Sequence, residues 1–361
     1  MKKLLLAGGG LAHLQVMKLL KNNPIPDTEV TLISPSEFQY YSGMFPGYIE
    51  EIYNEKQITI NLTQQAEAAG VKWLKGAVTA IDPRQKMVLT DKGEILPYDL
   101  VSFNIGSLTS DTDVVFEEKD ALWLKPNYRF IEAVSEVEDA EKVVINGSGE
   151  EAVEFCLSLN AWRKSRGTET PITLVSPGRL LPDNEESVSE KVEKVVVKKG
   201  VHLLTNTGVT SVKNNVIHTS SNLDIPFEKL VWITEPRGHE LFKIAGLPVD
   251  EKGFLLVEDT LQVKKFPAIF AAGDCMSLAK YPKTVKNKTY ALEEGRILFE
   301  NLKGYLGSGE GERVKPPRGE RSILSSGNRE GILLFKKRTF MGRWVWHLKN
   351  RIDLKILHRY Q

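Results

Sequence analysis

The sequence predicts an α/β protein with two Rossmann-like units, one inserted within the other, followed by a basic amphipathic helix. Three observations predict it. "MKKLLLAGGGLAHLQVMKLL" runs from an apolar stretch through three glycines into a helical pattern. "KVVINGSGEEAVEFCLSL" repeats that order in the middle of the chain. "FMGRWVWHLKNRIDLKILHRYQ" ends the sequence with apolar residues at helical spacing among many cations.

In the first unit, residues 3–7 read as a buried strand, 8–10 as a turn and 11–21 as a helix. Backbone N–H groups at a helix start carry partial positive charge, and glycines let a pyrophosphate approach them. Gly8-x-Gly10-x-x-His13 has histidine where the dinucleotide fingerprint has Gly or Ala. Alone, this turn is either a phosphate cradle or a tight bend before a packed helix. The second unit, Gly147-x-Gly149-x-x-Ala152, has a permitted alanine, with Glu154 just beyond it. "EVTLIS" and "PITLVS" follow the two turns at βαβ spacing, so the pair fits a chain that binds two dinucleotides.

Both units lack the acidic residue that usually bonds a ribose; Ser34 and Ser176 stand there, each before a proline. Arg179 either neutralises a 2′-phosphate, which would select NADPH, or is a solvated loop residue. In "FPAIFAAGDCMSL", residues 270–272 read as a strand with Gly273 and Asp274 at its end, a carboxylate placed to bond a polyol. This segment lies beyond the second unit, so the first domain is expected to close with sequence from both sides. The expected domains are 1–112 with 250–310, the inserted 113–249, and a tail at 319–361.

Composition narrows the class. With 361 residues, 41% hydrophobic and 26% charged, the chain reads as globular. A net charge of +1 exerts no general pull on nucleic acid. Two cysteines, Cys156 and Cys275, supply neither a disulfide framework nor a metal site. No stretch approaches the roughly 18 apolar residues of a spanning helix, and an intracellular protein is expected.

The chain resembles the FAD-dependent pyridine nucleotide-disulfide oxidoreductase superfamily in its two-dinucleotide form. The residues are "LAGGGLAHL", "VTLISPSEFQYYSGMFPG", "YDLVSFNIGS", "LKP", "GSGEEAVEF", "GLPVDEKGF", "FAAGDC", "YALEEG" and "LKNRID". The nearer likeness is to flavoproteins fused in some cases to selenide, water dikinase and related to type II NADH dehydrogenases and sulfide:quinone oxidoreductases. The resemblance implies FAD and NADH or NADPH as cofactors. It assigns Gly8, Gly10, Leu11 and Ala12 to the FAD pyrophosphate and Ser34 and Pro35 to its ribose. It also assigns Ser42, Gly43, Met44 and Pro46 to the flavin surroundings, and Gly273 and Asp274 to the ribityl or phosphate region. Gly147, Gly149 and Ala152 would form the nicotinamide nucleotide turn, with Lys125 and Glu154 near the flavin as catalytic candidates. Two departures stand out: Glu235 in "ITEPRG" replaces a glycine, and Glu293 and Glu294 replace the glutamines of quinone-reducing relatives.

The disulfide enzymes of the superfamily relay electrons through a close cysteine pair, which this chain lacks. The expected reaction is hydride transfer from nicotinamide to FAD and then electron transfer to an acceptor. A quinone is the first candidate. The alternatives are a soluble oxidoreductase with a small sulfur or selenium acceptor and a non-catalytic flavoprotein sensor. Glu154 either manages protons for the acceptor or stabilises its helix start. In the tail, Met341, Trp344, Val345, Leu348, Ile352 and Ile356 recur at helical spacing. Such a basic helix either lies on an anionic membrane, at the inner face of the cell membrane, or docks on its own domain or across a homodimer.

Overall fold

The apolar run at the start forms the strand Lys2–Ala7, whose last four residues are buried. In the computed structural model, which describes residues 1–110, 114, 121–282, 284, 288–307, 311–316 and 321–361, this strand sits inside an eight-stranded sheet. It pairs in parallel with Thr28–Ser34 on one side and Leu100–Phe103 on the other. Phe266–Ala271, from far along the chain, extends the same sheet by pairing in parallel with Leu100–Phe103. The inner residues of these strands are buried and mostly apolar, as parallel strands covered on both faces require.

The second sheet has five parallel strands, in the order Leu122–Trp123, Lys229–Trp232, Val143–Asn146, Thr173–Val175 and His202–Leu204. Each unit also carries a three-stranded antiparallel meander, Val78–Asp82 to Ile95–Pro97 in one and Val209–Lys213 to Asp224–Pro226 in the other. The expected boundary at residues 112–113 lies outside the described residues.

Two helices begin at the glycine turns, Leu11–Asn22 and Glu150–Ser165. The first packs on the helix Lys288–Leu306. The last part of the chain forms an antiparallel sheet, Arg321–Ser325, Gly331–Phe335 and Arg338–Gly342, and then the helix Arg343–Leu357. Met341 therefore lies in a strand, and the helical spacing begins only at Trp344. Val345 and Ile356 are buried, whereas Trp344, Leu348 and Ile352 are exposed by 54%, 39% and 38%. The helix thus docks on the protein and still presents an apolar strip. No helix among the described residues is long and apolar enough to cross a membrane.

Candidate functional site

Asn104 ties the first glycine turn to the distant Gly273-Asp274 turn. It follows the strand Leu100–Phe103 and is almost fully buried. Its side-chain oxygen accepts from the N–H groups of Ala12 and His13, at 3.1 and 3.2 Å, and its amide donates to the Ala272 carbonyl at 2.8 Å. A Cβ on Gly10 would sit 2.3 Å from the Asn104 oxygen, so this turn closes only with glycine. No side chain caps Gly10, and no acidic residue occupies the first turn. Asn104 takes the Ala12 and His13 N–H groups, and Leu11, the first residue of the helix, lines the cavity with no carboxylate in that turn to cancel the positive end of the helix.

His13 fills the third fingerprint position without blocking it. It is buried beneath the turn, with Nδ1 2.6 Å from the Gly8 carbonyl and Nε2 2.9 Å from Ser102 Oγ. A carbonyl only accepts, so Nδ1 carries the proton and Nε2 accepts from the serine. Burial pulls the pKa of this imidazole down to about 4.

The cavity has two lobes, of about 770 and 1280 Å³, that share Gly10, Asn104, Gly106 and Asp274. Gly8, Ser34, Pro35 and Lys125 line the smaller lobe, and Leu11, Ser42, Glu154 and Gly273 the larger. A two-lobed cavity over a glycine turn and a helix start free of carboxylates, with Asp274 where the lobes meet, fits a dinucleotide such as FAD. Ser34 lines it with its hydroxyl turned to the Ser36 carbonyl, 2.8 Å away.

Not every expected residue lines the cavity. Of the stretch assigned to the flavin, Ser42 reaches the cavity, whereas Gly43, Met44 and Pro46 are buried behind it. The reason is a tight turn that leads into the short helix Phe45–Ile49, where Phe45 stacks on Phe130 at 3.6 Å. Ala12 is likewise fully buried and offers only its backbone N–H, already bonded to Asn104. Arg179 is half-buried and donates to the Pro182 and Asn184 carbonyls of its loop and to Ser189 Oγ of the following helix, so it is not free. Cys275 is buried, and its thiol faces the Phe103 and Ala272 carbonyls. Cys156 is buried in its helix, which raises its thiol pKa well above the ordinary range.

At the second turn, a Cβ on Gly147 would meet the Ile233 carbonyl oxygen at 2.3 Å. Gly149 is exposed at the helix start, and Ala152 is buried beneath the turn. Glu150 and Glu154 from this helix line the larger lobe, so the two units meet there. Glu154 accepts from the Ser325 N–H at 2.6 Å and lies 3.9 Å from Lys349 Nζ.

Lys349, Asp353 and Tyr41 lie in two of the stretches that carry the resemblance, "LKNRID" and "YYSGMFPG", but nothing in the sequence pairs these stretches, which lie more than 300 residues apart. Lys349 donates to Asp353, at 2.8 Å, and to the Gly43 carbonyl. Asp353 also accepts from Tyr41 Oη at 2.8 Å. Burial acts to lower the Lys349 pKa, but Asp353 and Glu154 together hold it above the ordinary value. The departures in "YALEEG" are accommodated too. Glu294 is turned inward and accepts from the Gly273 N–H at 2.7 Å, while Glu293 pairs with Arg296. Glu235, in place of a glycine, pairs with Lys252 on the surface.

The family model for pyridine nucleotide-disulphide oxidoreductase matches residues 2–295. A type II NADH:quinone oxidoreductase of Staphylococcus saprophyticus is 23% identical, covering 99% of this chain and 96% of that protein. Two solved structures share the fold. The sulfide:quinone oxidoreductase of Aquifex aeolicus has a TM-score of 0.82 at 17% identity, over 100% of this chain and 91% of that one. NDH2 of Plasmodium falciparum in complex with NADH has a TM-score of 0.81 at 15% identity, over 99% and 97%.

Proposed function

Because the chain belongs to the pyridine nucleotide-disulphide oxidoreductase family and is an FAD- and NAD(P)H-dependent oxidoreductase, we propose that it delivers electrons to a quinone at a membrane surface. The domain reading goes with this: the eight-stranded-sheet unit holds FAD, and the five-stranded-sheet unit holds the nucleotide. The observation that carries the quinone reading is the shape and lining of the larger lobe. Leu324, Leu333, Phe335, Leu348, Ile352 and Ile356 wall it, and Glu154, Lys349 and Asp353 stand among them. Leu348 and Ile352 are also part of the exposed strip with Trp344, so one helix supplies both a cavity wall and an apolar outer surface.

Bound FAD supplies the two-electron chemistry that links nicotinamide to acceptor. The chain's own residues hold it at the Gly10 turn and Asn104, exclude water with the apolar walls, and keep a proton position at Glu154 beside Lys349. Cys156 and Cys275, both buried, take no part as a redox pair. The apolar strip, with Arg338, Arg343, Lys355 and Arg359 on the same basic tail, suits an anionic bilayer surface.

Anaerobic titration with NADH and with NADPH, followed by mixing with a short-chain quinone, tests the reaction. Bleaching of the flavin and its return on quinone addition are expected; a reduced flavin that quinone leaves bleached would refute the acceptor. For the surface, Trp344→Ser, Leu348→Ser and Ile352→Ser together should abolish sedimentation with anionic liposomes. This variant is preferable to deleting the tail, which would also remove the buried Val345, Trp346 and Leu357. Equal sedimentation of variant and parent would remove the membrane from the reading.

A further inference from the structure

The helix Glu150–Ser165 begins with two carboxylates, Glu150 and Glu151, where a nucleotide pyrophosphate would dock. Both would repel a pyrophosphate and compete for the same N–H groups. Each is engaged elsewhere. Ser322 Oγ donates to Glu150 at 2.5 Å, and Lys125 Nζ lies 3.2 Å from Glu151 Oε2. Lys125 follows the strand Leu122–Trp123, lines the smaller lobe and has only 18% of its side chain exposed. Burial acts against its charge, yet Glu151 and Asp274 keep its pKa above the ordinary value.

We propose that Lys125 is the counter-charge that draws Glu151 away from the helix start and so sets the affinity for pyridine nucleotide. It is then a positioning residue rather than a catalytic one. This inference rests on reading the second unit as the NAD(P)H site. With the ammonium removed, the Glu151 carboxylate is released onto the N–H groups of its own helix and opposes the pyrophosphate. With both charges removed, Glu151 no longer opposes it, and Glu150 stays engaged by Ser322 as in the parent.

The test uses flavin-loaded protein and NAD⁺, whose oxidised ring cannot reduce the flavin, titrated by calorimetry. Parent, Lys125→Met, Glu151→Gln and the double variant are compared. Lys125→Met should weaken NAD⁺ binding by about tenfold, within the range for a charge at a helix start. Glu151→Gln should bind as tightly as the parent or more so, and the double variant should return to within about twofold of the parent. ADP-ribose, which keeps the pyrophosphate and lacks the nicotinamide, should follow the same order. Failure of the double variant to recover would give Lys125 a direct contact and overturn the inference, as would equal affinities in all four proteins. A fall in flavin content confined to Lys125→Met would place its role at FAD and overturn it too. A parent protein that binds neither NAD⁺ nor NADP⁺ would instead refute the reading of the second unit.

Discussion

Replacing Asp353 with leucine tests how the tail helix is held against the cavity. Asp353 is 7% exposed and accepts from both Tyr41 and Lys349. Without it, the buried Lys349 ammonium keeps the Gly43 carbonyl and the Glu154 carboxylate 3.9 Å away. Removing one partner of a buried pair costs about 3–5 kcal/mol, and the remaining Glu154 should reduce this to about 2–3 kcal/mol. A protein with several sheets need not unfold in one step, so the loss should be read locally. Amide hydrogen exchange in the helix Arg343–Leu357 should accelerate by about 30- to 150-fold. Adding Lys349→Met should restore most of the protection, because an apolar pair of similar size is tolerated where a lone charge is not. Tail exchange in Asp353→Leu that matched the parent would refute the reasoning.

Acid should destabilise the native protein through His13. Its pKa is near 4 when folded against 6.5 when unfolded, so only the unfolded chain takes up a proton between those values. The stability it supports is complete above pH 6.5 and falls by about 3 kcal/mol as pH drops to 4; denaturant midpoints across that range should show the slope, and His13→Gln should flatten it. Asn104→Ala strands two N–H groups and the Ala272 carbonyl, and should cost about 2–4 kcal/mol. Gel filtration should then separate flavin from protein, and full flavin retention would contradict the role given to Asn104. In Glu154→Gln, stopped-flow absorbance should show flavin reduction by NADH at the parent rate and reoxidation by quinone slowed at least about tenfold.

Local patterns made much of the fold legible. A strand, a glycine turn and a helix are consecutive in sequence, so both turns could be read from short windows. The tail helix was legible for the same reason, but periodicity does not say which apolar side is covered. Val345 and Ile356 are buried, whereas Leu348 and Ile352 stay partly exposed where the helix borders the cavity, because the antiparallel sheet packs against only one side. Asn104 lies in "YDLVSFNIGS", which carries the resemblance without giving this side chain a role, and its partners, Ala12 and Ala272, come from opposite ends of the sheet's sequence. The Tyr41, Lys349 and Asp353 cluster is a product of tertiary packing. Arg179 looked available to a phosphate because its loop partners are backbone carbonyls and a serine, which carry no charge to mark them.

The place of Phe266–Ala271 beside Leu100–Phe103 has a consequence for biosynthesis. As the chain leaves the ribosome, the first sheet emerges with the edge of Leu100–Phe103 bare, a row of open backbone groups of the kind that recruits stray strands. Its partner is translated only after Leu122–Trp123 through Lys229–Trp232, the whole five-stranded sheet. Domains fold as units while synthesis proceeds, so the inserted unit is complete before the unit that encloses it. The nascent protein therefore completes its five-stranded sheet before its eight-stranded one.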